Sequence, residues 1–292
     1  MTDVERELGE SIALEAETSR GSDRGKLRGS IRSMPPWAGA VIGIVAIVAV
    51  WWFVADTFFS RIGSVPPPPA VAVQLVRDLT NDVYWNAIAQ TGIAAAWGYL
   101  WGIAIAFVLA AMVLLIPWFE GLATQLAVVS SCIPLTAVAP IVALLSPAGS
   151  RSTSIFLAAI SVIFTTVVGS LLGLRAASQT QLDVISAYGG GRWTQLVKVR
   201  LFAALPSIMA ALKIAAPAAF LGSVLGEYFL LGVDSGIGIL LLAAQATNSS
   251  VKLWAIALIC GGVAGLAYFL IGRLGRIVTP WSAGDSRSGE AF

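Results

Sequence analysis

Six apolar runs dictate what this chain can become. They fall at roughly 37–56, 87–116, 122–146, 154–174, 206–227 and 253–272. Each reaches the length of about 20 residues that an α-helix needs to cross a hydrocarbon core. Inside lipid a backbone amide finds no water, so a spanning segment satisfies its own N–H and C=O groups as a helix. Composition agrees: 57% of the 292 residues are hydrophobic, only 12% are charged, and the mean hydropathy is +0.84. Soluble domains carry about 25% charged residues. The expected fold class is all-α integral membrane, with six transmembrane helices.

Several chemistries are excluded at this stage. The chain has no histidine, so histidine bases and histidine metal ligands are absent. Its two cysteines, Cys132 and Cys260, both lie in apolar runs, which argues against a disulfide framework. Two isolated thiols make no metal site, and no cofactor is expected. A membrane-embedded enzyme would need His, Asp or Cys clustered on one cavity, and no such cluster is visible. A transporter driven by an ion gradient would need ionisable groups at the bilayer midplane. Only Lys213 and Glu227 come close, both near span ends, and that class stays open as the alternative. No phosphate-binding G-x-x-x-x-G-K-[ST] loop occurs. The net charge of +2 says little, and no nucleic-acid partner is expected.

Residues 1–34 read as a disordered cytoplasmic tail. It is acidic first (Asp3, Glu5, Glu7, Glu10, Glu15, Glu17) and basic after (Arg20, Arg24, Lys26, Arg28, Arg32). No cleavable signal is expected, because the first apolar run starts late and is long. A membrane domain over 35–275 and a second cytoplasmic tail over 276–292 complete the division. With a cytoplasmic N-terminus, the inner segments hold Arg175, Arg192, Lys198, Arg200, Arg273, Arg276 and Arg287. The outer segments hold only Arg61, Arg77, Arg151 and Lys252. By the positive-inside rule both termini are then cytoplasmic. The inner loop at 117–121 breaks the pattern by carrying no Lys or Arg.

Local signals mark individual segments. Four prolines at 66–69 make a stiff extended piece, and 71–79 reads as an amphipathic surface helix. Tyr84, Trp85 and Trp97 suit the membrane interface. The third span holds Pro134 and Pro140, each of which removes a backbone donor, with Ser130, Ser131 and Thr136 beside them. Broken backbone at membrane depth needs protein or a wet cavity to receive it, so this span is a candidate for lining a path. The fifth span carries Ala210, Ala211, Ala215, Ala216, Ala218, Ala219 and Gly222, small side chains that let helices approach closely. Lys213 is placed to snorkel at the inner end. Glu227, at the outer end, is either functional or an ordinary hydrated interfacial carboxylate.

The longest polar-tolerant stretch between two membrane-length runs is 181–211. A short helix over 182–188 is broken by Gly189, Gly190 and Gly191, residues that adopt turn dihedrals without steric cost. A second helical stretch covers 192–201, and Pro206 fits the first turn of the next span. Two short helices at an angle make a compact knob on the membrane surface.

This stretch, over 181–206, resembles the EAA loop of ABC importer permeases, which implies a coupling loop there. Asp183 stands at the Glu position, Gly189 at the Gly, and Arg192 and Trp193 match directly. Ala204, Leu205 and Pro206 match the end of the pattern, while Val184, Ile185, Gly190, Gly191 and Phe202 depart from it. A second likeness lies at 235–238, Ser-Gly-Ile-Gly, which is similar to the S-G-L-G of sulfonate, nitrate and taurine permeases, also preceded by a Glu. Those permeases likewise carry two prolines spaced as Pro134 and Pro140 are. The resemblance covers about 40–275 and implies the type I importer (MetI-like) permease fold in a bacterial inner membrane. It implies a separate ABC ATPase subunit, a second permease subunit and an extracytoplasmic substrate-binding protein as partners. The ATPase would be gripped through Asp183, Gly189, Gly190, Gly191, Arg192, Trp193, Leu205 and Pro206. Ser130, Ser131, Pro134, Thr136, Pro140 and Glu227 would border the path. The implied substrate is nitrate, an organosulfonate such as taurine, or a vitamin precursor.

Overall fold

The computed structural model describes residues 36–59, 63–116, 121–122, 125, 128–129, 132, 134–230 and 232–283. Among them every regular element is helical, and no strand occurs. Two compact units divide the chain, Met1–Pro68 and Pro69–Phe292. In the first, α1 spans Pro36–Thr57. Helix α2 spans Pro68–Leu79, beginning at the boundary, and the second unit continues with α3 (Asp82–Leu115), α4 (Leu135–Leu145) and α5 (Ser152–Leu174). Next come α6 (Gln179–Ala187), α7 (Arg192–Gln195), a π-helical turn (Leu196–Arg200) and α8 (Leu201–Glu227). The chain closes with α9 (Ile237–Ala246), α10 (Ser250–Val278) and a 3-10 turn (Pro280–Ala283).

Five of these helices are long and apolar enough to cross a membrane: Trp37–Thr57, Asp82–Val113, Ser152–Leu174, Trp193–Glu227 and Ser250–Val278. The expected third span is described as a continuous helix only over Leu135–Leu145, with Pro140 inside it. Ser130 and Ser131 lie outside the described residues. Of the four prolines at 66–69, two extend the chain and two open α2, where a missing N–H costs nothing.

The core of the second unit forms where α8 packs against α5, α3 and α10. Small residues set the spacing. Gly98 and Gly102 on α3 face Ala158, Ala159 and Val162 of α5 so closely that no Cβ could be added. Gly222 of α8 does the same, with Ser161 Oγ 2.6 Å and the Leu157 carbonyl 2.9 Å from where its Cβ would be. Ala211, Ala215, Ala216 and Ala219 are buried as expected, whereas Ala210 is exposed and Ala218 half-buried. In a bilayer these close contacts replace the hydrophobic effect as the source of helix association. A second cluster unites Phe220 and Val224 of α8 with Ile237 and Ala244 of α9 and Ile256 and Ile259 of α10.

One expectation is corrected here. Pro206 does not start a span. Helix runs unbroken from Arg192 through the π turn into α8, so Pro206 sits inside it with Pro217 further on. The π turn absorbs the change: Leu201 N–H reaches back five positions to the Leu196 carbonyl. Such local adjustments let membrane helices carry proline without breaking.

Candidate functional site

The segment that resembles the EAA loop lies between the end of α5 and the start of α8. Ser178 caps α6, accepting Gln181 N–H at 3.3 Å while Gln181 Oε1 accepts Ser178 N–H at 3.1 Å. This reciprocal box satisfies two helix-end donors. The helix therefore begins at Gln179, three residues earlier than expected, and Asp183 lies beyond its first turn rather than within it. Asp183 accepts a hydrogen bond from Gln179 Nε2 at 3.2 Å. Leu182 is the buried anchor of α6.

Gly189 ends the helix at φ +76°, a left-handed conformation that side chains resist. Nothing lies near the position of its Cβ, so the requirement is one of backbone angle alone. Gly190 is needed for space: a Cβ there would fall 2.5 Å from Ile185 Cγ2. Gly191 has open surroundings, and its carbonyl accepts Gln195 N–H at 3.1 Å as α7 begins.

Gln195 ties the two halves together. Its side-chain amide donates to Ser186 Oγ at 2.8 Å and to the Leu182 carbonyl at 3.3 Å. Tyr188 (89% exposed) and Trp193 (69% exposed) stand out from the element. Exposed aromatics of this size are what interface hot spots are made from. Between α6 and the start of α8 lies a groove of about 780 Å³, lined by Val184, Ile185, Lys198, Phe202, Pro206 and Trp281. Leu205 is half-buried beside Pro206.

At the other end of α8 is a buried polar cluster. Glu227 is 1% exposed, which excludes the hydrated interfacial carboxylate considered from the sequence. Arg151, preceding α5, donates from Nη1 to Glu227 Oε1 at 3.1 Å. Thr91 of α3 donates to Glu227 Oε1 at 2.8 Å and accepts Ile237 N–H at 2.9 Å. Gly238 N–H donates to Glu227 Oε2 at 2.8 Å. Arg151 also reaches the carbonyl and hydroxyl of Ser235. The first N–H groups of α9 are thus satisfied by Thr91 and Glu227, and a carboxylate at that end suits the helix dipole.

The Ser-Gly-Ile-Gly motif now has a physical reason. A Cβ on Gly236 would lie 2.6 Å from the Glu227 carboxyl, and one on Gly238 would meet the Val224 carbonyl and Glu227 Cβ. Both glycines exist to let the backbone close over Glu227. Arg151 and Thr91 did not stand out in the sequence. Arg151 counts in the sequence only as an outer-segment cation and Thr91 carries no signal at all, because their partner lies 76 and 136 positions away. Pro134, the N-cap of α4, and Thr136 and Pro140 on it are exposed, and the buried residue of α4 is Ala139. Among the described residues no group of three or more Cys, Asp or Glu is arranged to hold a metal.

Comparison with known proteins gives one family and three relatives. Residues 98–282 match the binding-protein-dependent transport system inner membrane component family. The chain is 27% identical over 231 residues to a probable ABC transporter permease protein of Haemophilus influenzae, covering 79% of this chain and 91% of that one. It is 24% identical over 257 residues to the riboflavin transport system permease protein RibX of Chloroflexus aurantiacus, covering 87% and 95%. It is 23% identical over 215 residues to the formylaminopyrimidine transport permease protein ThiX of Halalkalibacterium halodurans, covering 74% and 85%. The match spans α5, the α6–α7 segment, α8 with Glu227, and α10. The chain therefore belongs to the binding-protein-dependent transport system inner membrane component family, the multi-pass permeases of ABC importers.

Proposed function

We propose that this chain forms one half of the translocation pathway of an ATP-driven importer and takes its driving force through 178–206. An ATPase subunit grips the knob of α6 and α7, a second permease subunit completes the pathway, and an extracytoplasmic binding protein supplies the solute. The observation that carries this reading is mechanical. The knob is stapled across by Gln195 and continues without a loop into α8, whose far end is Glu227. A push on α7 is a push on a single helix that ends in the Arg151–Glu227 cluster.

In this reading Glu227 works as a latch at the outer end. Its oxygens are already engaged by Thr91, Arg151 and Gly238, so it holds α9 and does not serve the solute directly. Pro134, Thr136 and Pro140 border the path. Two relatives carry riboflavin and formylaminopyrimidine in their names, which favours a nitrogen-heterocyclic vitamin or vitamin precursor over nitrate or a sulfonate. The coupling end faces the cytoplasm, with both termini on that side.

The test is uptake by the complete transporter in proteoliposomes. Labelled heterocycle should enter only with ATP and a binding protein present, and nitrate and taurine should not compete. Uptake driven by an ion gradient without ATP would favour a secondary transporter instead.

A further inference from the structure

The exposed surface between α3, α8 and α10 holds a crevice of about 250 Å³, walled by Gly92, Ala95, Tyr99, Ala216, Ala219 and Ala267. Its lining is apolar apart from the Tyr99 hydroxyl, which is used up in a 3.0 Å hydrogen bond to the Leu212 carbonyl. One helical turn from Ala216, towards the coupling end, stands Lys213. At about 1.5 Å per residue, Lys213 lies about 21 Å along α8 from Glu227, so across an apolar layer about 30 Å thick its long side chain reaches towards the opposite interface. An ammonium there is stabilised by an anionic partner.

Its partner in the structure is an aromatic ring: Lys213 Nζ lies 4.2 Å from the centroid of Tyr268. Among the described residues no carboxylate lies within ion-pair distance of it. Gly272 leaves room for the stem, since a Cβ there would come within 3.0 Å of Lys213 Cε. Tyr268, Gly272 and Arg276 recur every fourth residue and share one face of α10, so Arg276 adds a second positive charge one turn nearer the coupling end. A cation–π contact leaves the three ammonium donors without acceptors.

We propose that this face binds one anionic phospholipid from the leaflet nearest the coupling end. Its phosphate accepts from Lys213 Nζ, with Arg276 completing the charge. Its acyl chain runs from there towards the bilayer centre along the crevice between Tyr99 and Gly92. Order and polarity both fit a lipid: the cations lie on the water side and the apolar crevice on the midplane side. A free solute anion would have no use for the crevice. The inference rests on the membrane fold and not on coupling to an ATPase.

The experiment is native mass spectrometry of the full-length chain in detergent, with phosphatidylglycerol or phosphatidylcholine added back. Phosphatidylglycerol should be retained over phosphatidylcholine. Lys213→Met should lower its retention about fivefold, the worth of one cation near a membrane surface. Lys213→Arg should keep it, and Ala216→Phe, which fills the crevice, should lose it. Equal retention by wild type and all three variants would overturn the proposal. So would competition by soluble glycerol phosphate, or a lipid-free dimer that Ala216→Phe dissolves. Uptake coupled to ATP is measured separately, so failure here leaves the transport reading intact.

Discussion

Arg151 and Glu227 meet at 3.1 Å across 76 positions of sequence, and their contact closes the C-terminal end of α8 onto α5 and α9. Glu227 has no exposed side-chain surface, and Arg151 retains 17%. Removing one partner of a buried pair leaves the other charge stranded, which costs about 3–5 kcal/mol. Glu227→Ala should therefore lower the thermal stability of the detergent-solubilised subunit strongly. A double replacement, Arg151→Met with Glu227→Leu, should recover much of the loss. Additive effects of the two single variants would show that the pair is not coupled.

Gly222→Leu should reduce the yield of folded subunit. Ser161 Oγ and the Leu157 carbonyl already stand at 2.6 and 2.9 Å from the Cβ position, and overpacking of this kind costs about 1–3 kcal/mol. Wild-type yield and melting temperature would mean that α8 and α5 separate more readily than their contact implies.

Gln195→Leu should uncouple the knob without unfolding the spans. The variant loses the bridges to Ser186 and Leu182, worth about 1 kcal/mol each. Uptake should fall several-fold while membrane insertion stays normal. Unchanged uptake would show that the two halves need no staple.

What the sequence reveals and what it conceals divide on physical lines. Length and hydropathy sufficed for the long helices, since the bilayer imposes both. The glycine break at 189–191 was legible because a left-handed turn demands it. The capping signature Ser178-x-x-Gln181 is equally legible, and it puts the start of α6 three residues before the position that the apolar pattern alone suggests. The reach of α8 was not legible, because Pro206 reads as a boundary unless the π turn before it is known. Helix α9 escaped because ten residues are too few to span. The partners of Glu227 escaped for a different reason: a contact between distant segments leaves no periodicity to find.

Orientation is open to labelling. In a background with Cys132 and Cys260 replaced by Ser, a membrane-impermeant thiol reagent should label Ser64→Cys and Asn248→Cys in intact cells. It should spare Ser186→Cys in α6 until the cells are opened. The reverse pattern would place the coupling element outside, beyond reach of any ATPase.

The most direct measurement concerns Gly189. Its φ of +76° makes any side chain cost on the order of 1 kcal/mol or more and re-aims α7. Open space around it means that nothing else is disturbed. Gly189→Val should insert and assemble normally, and its ATPase partner should still bind ATP. Substrate uptake and substrate-stimulated ATP hydrolysis should be lost together. Normal uptake with normal stimulated hydrolysis in Gly189→Val would contradict the claim that force enters this permease through the α6–α7 knob.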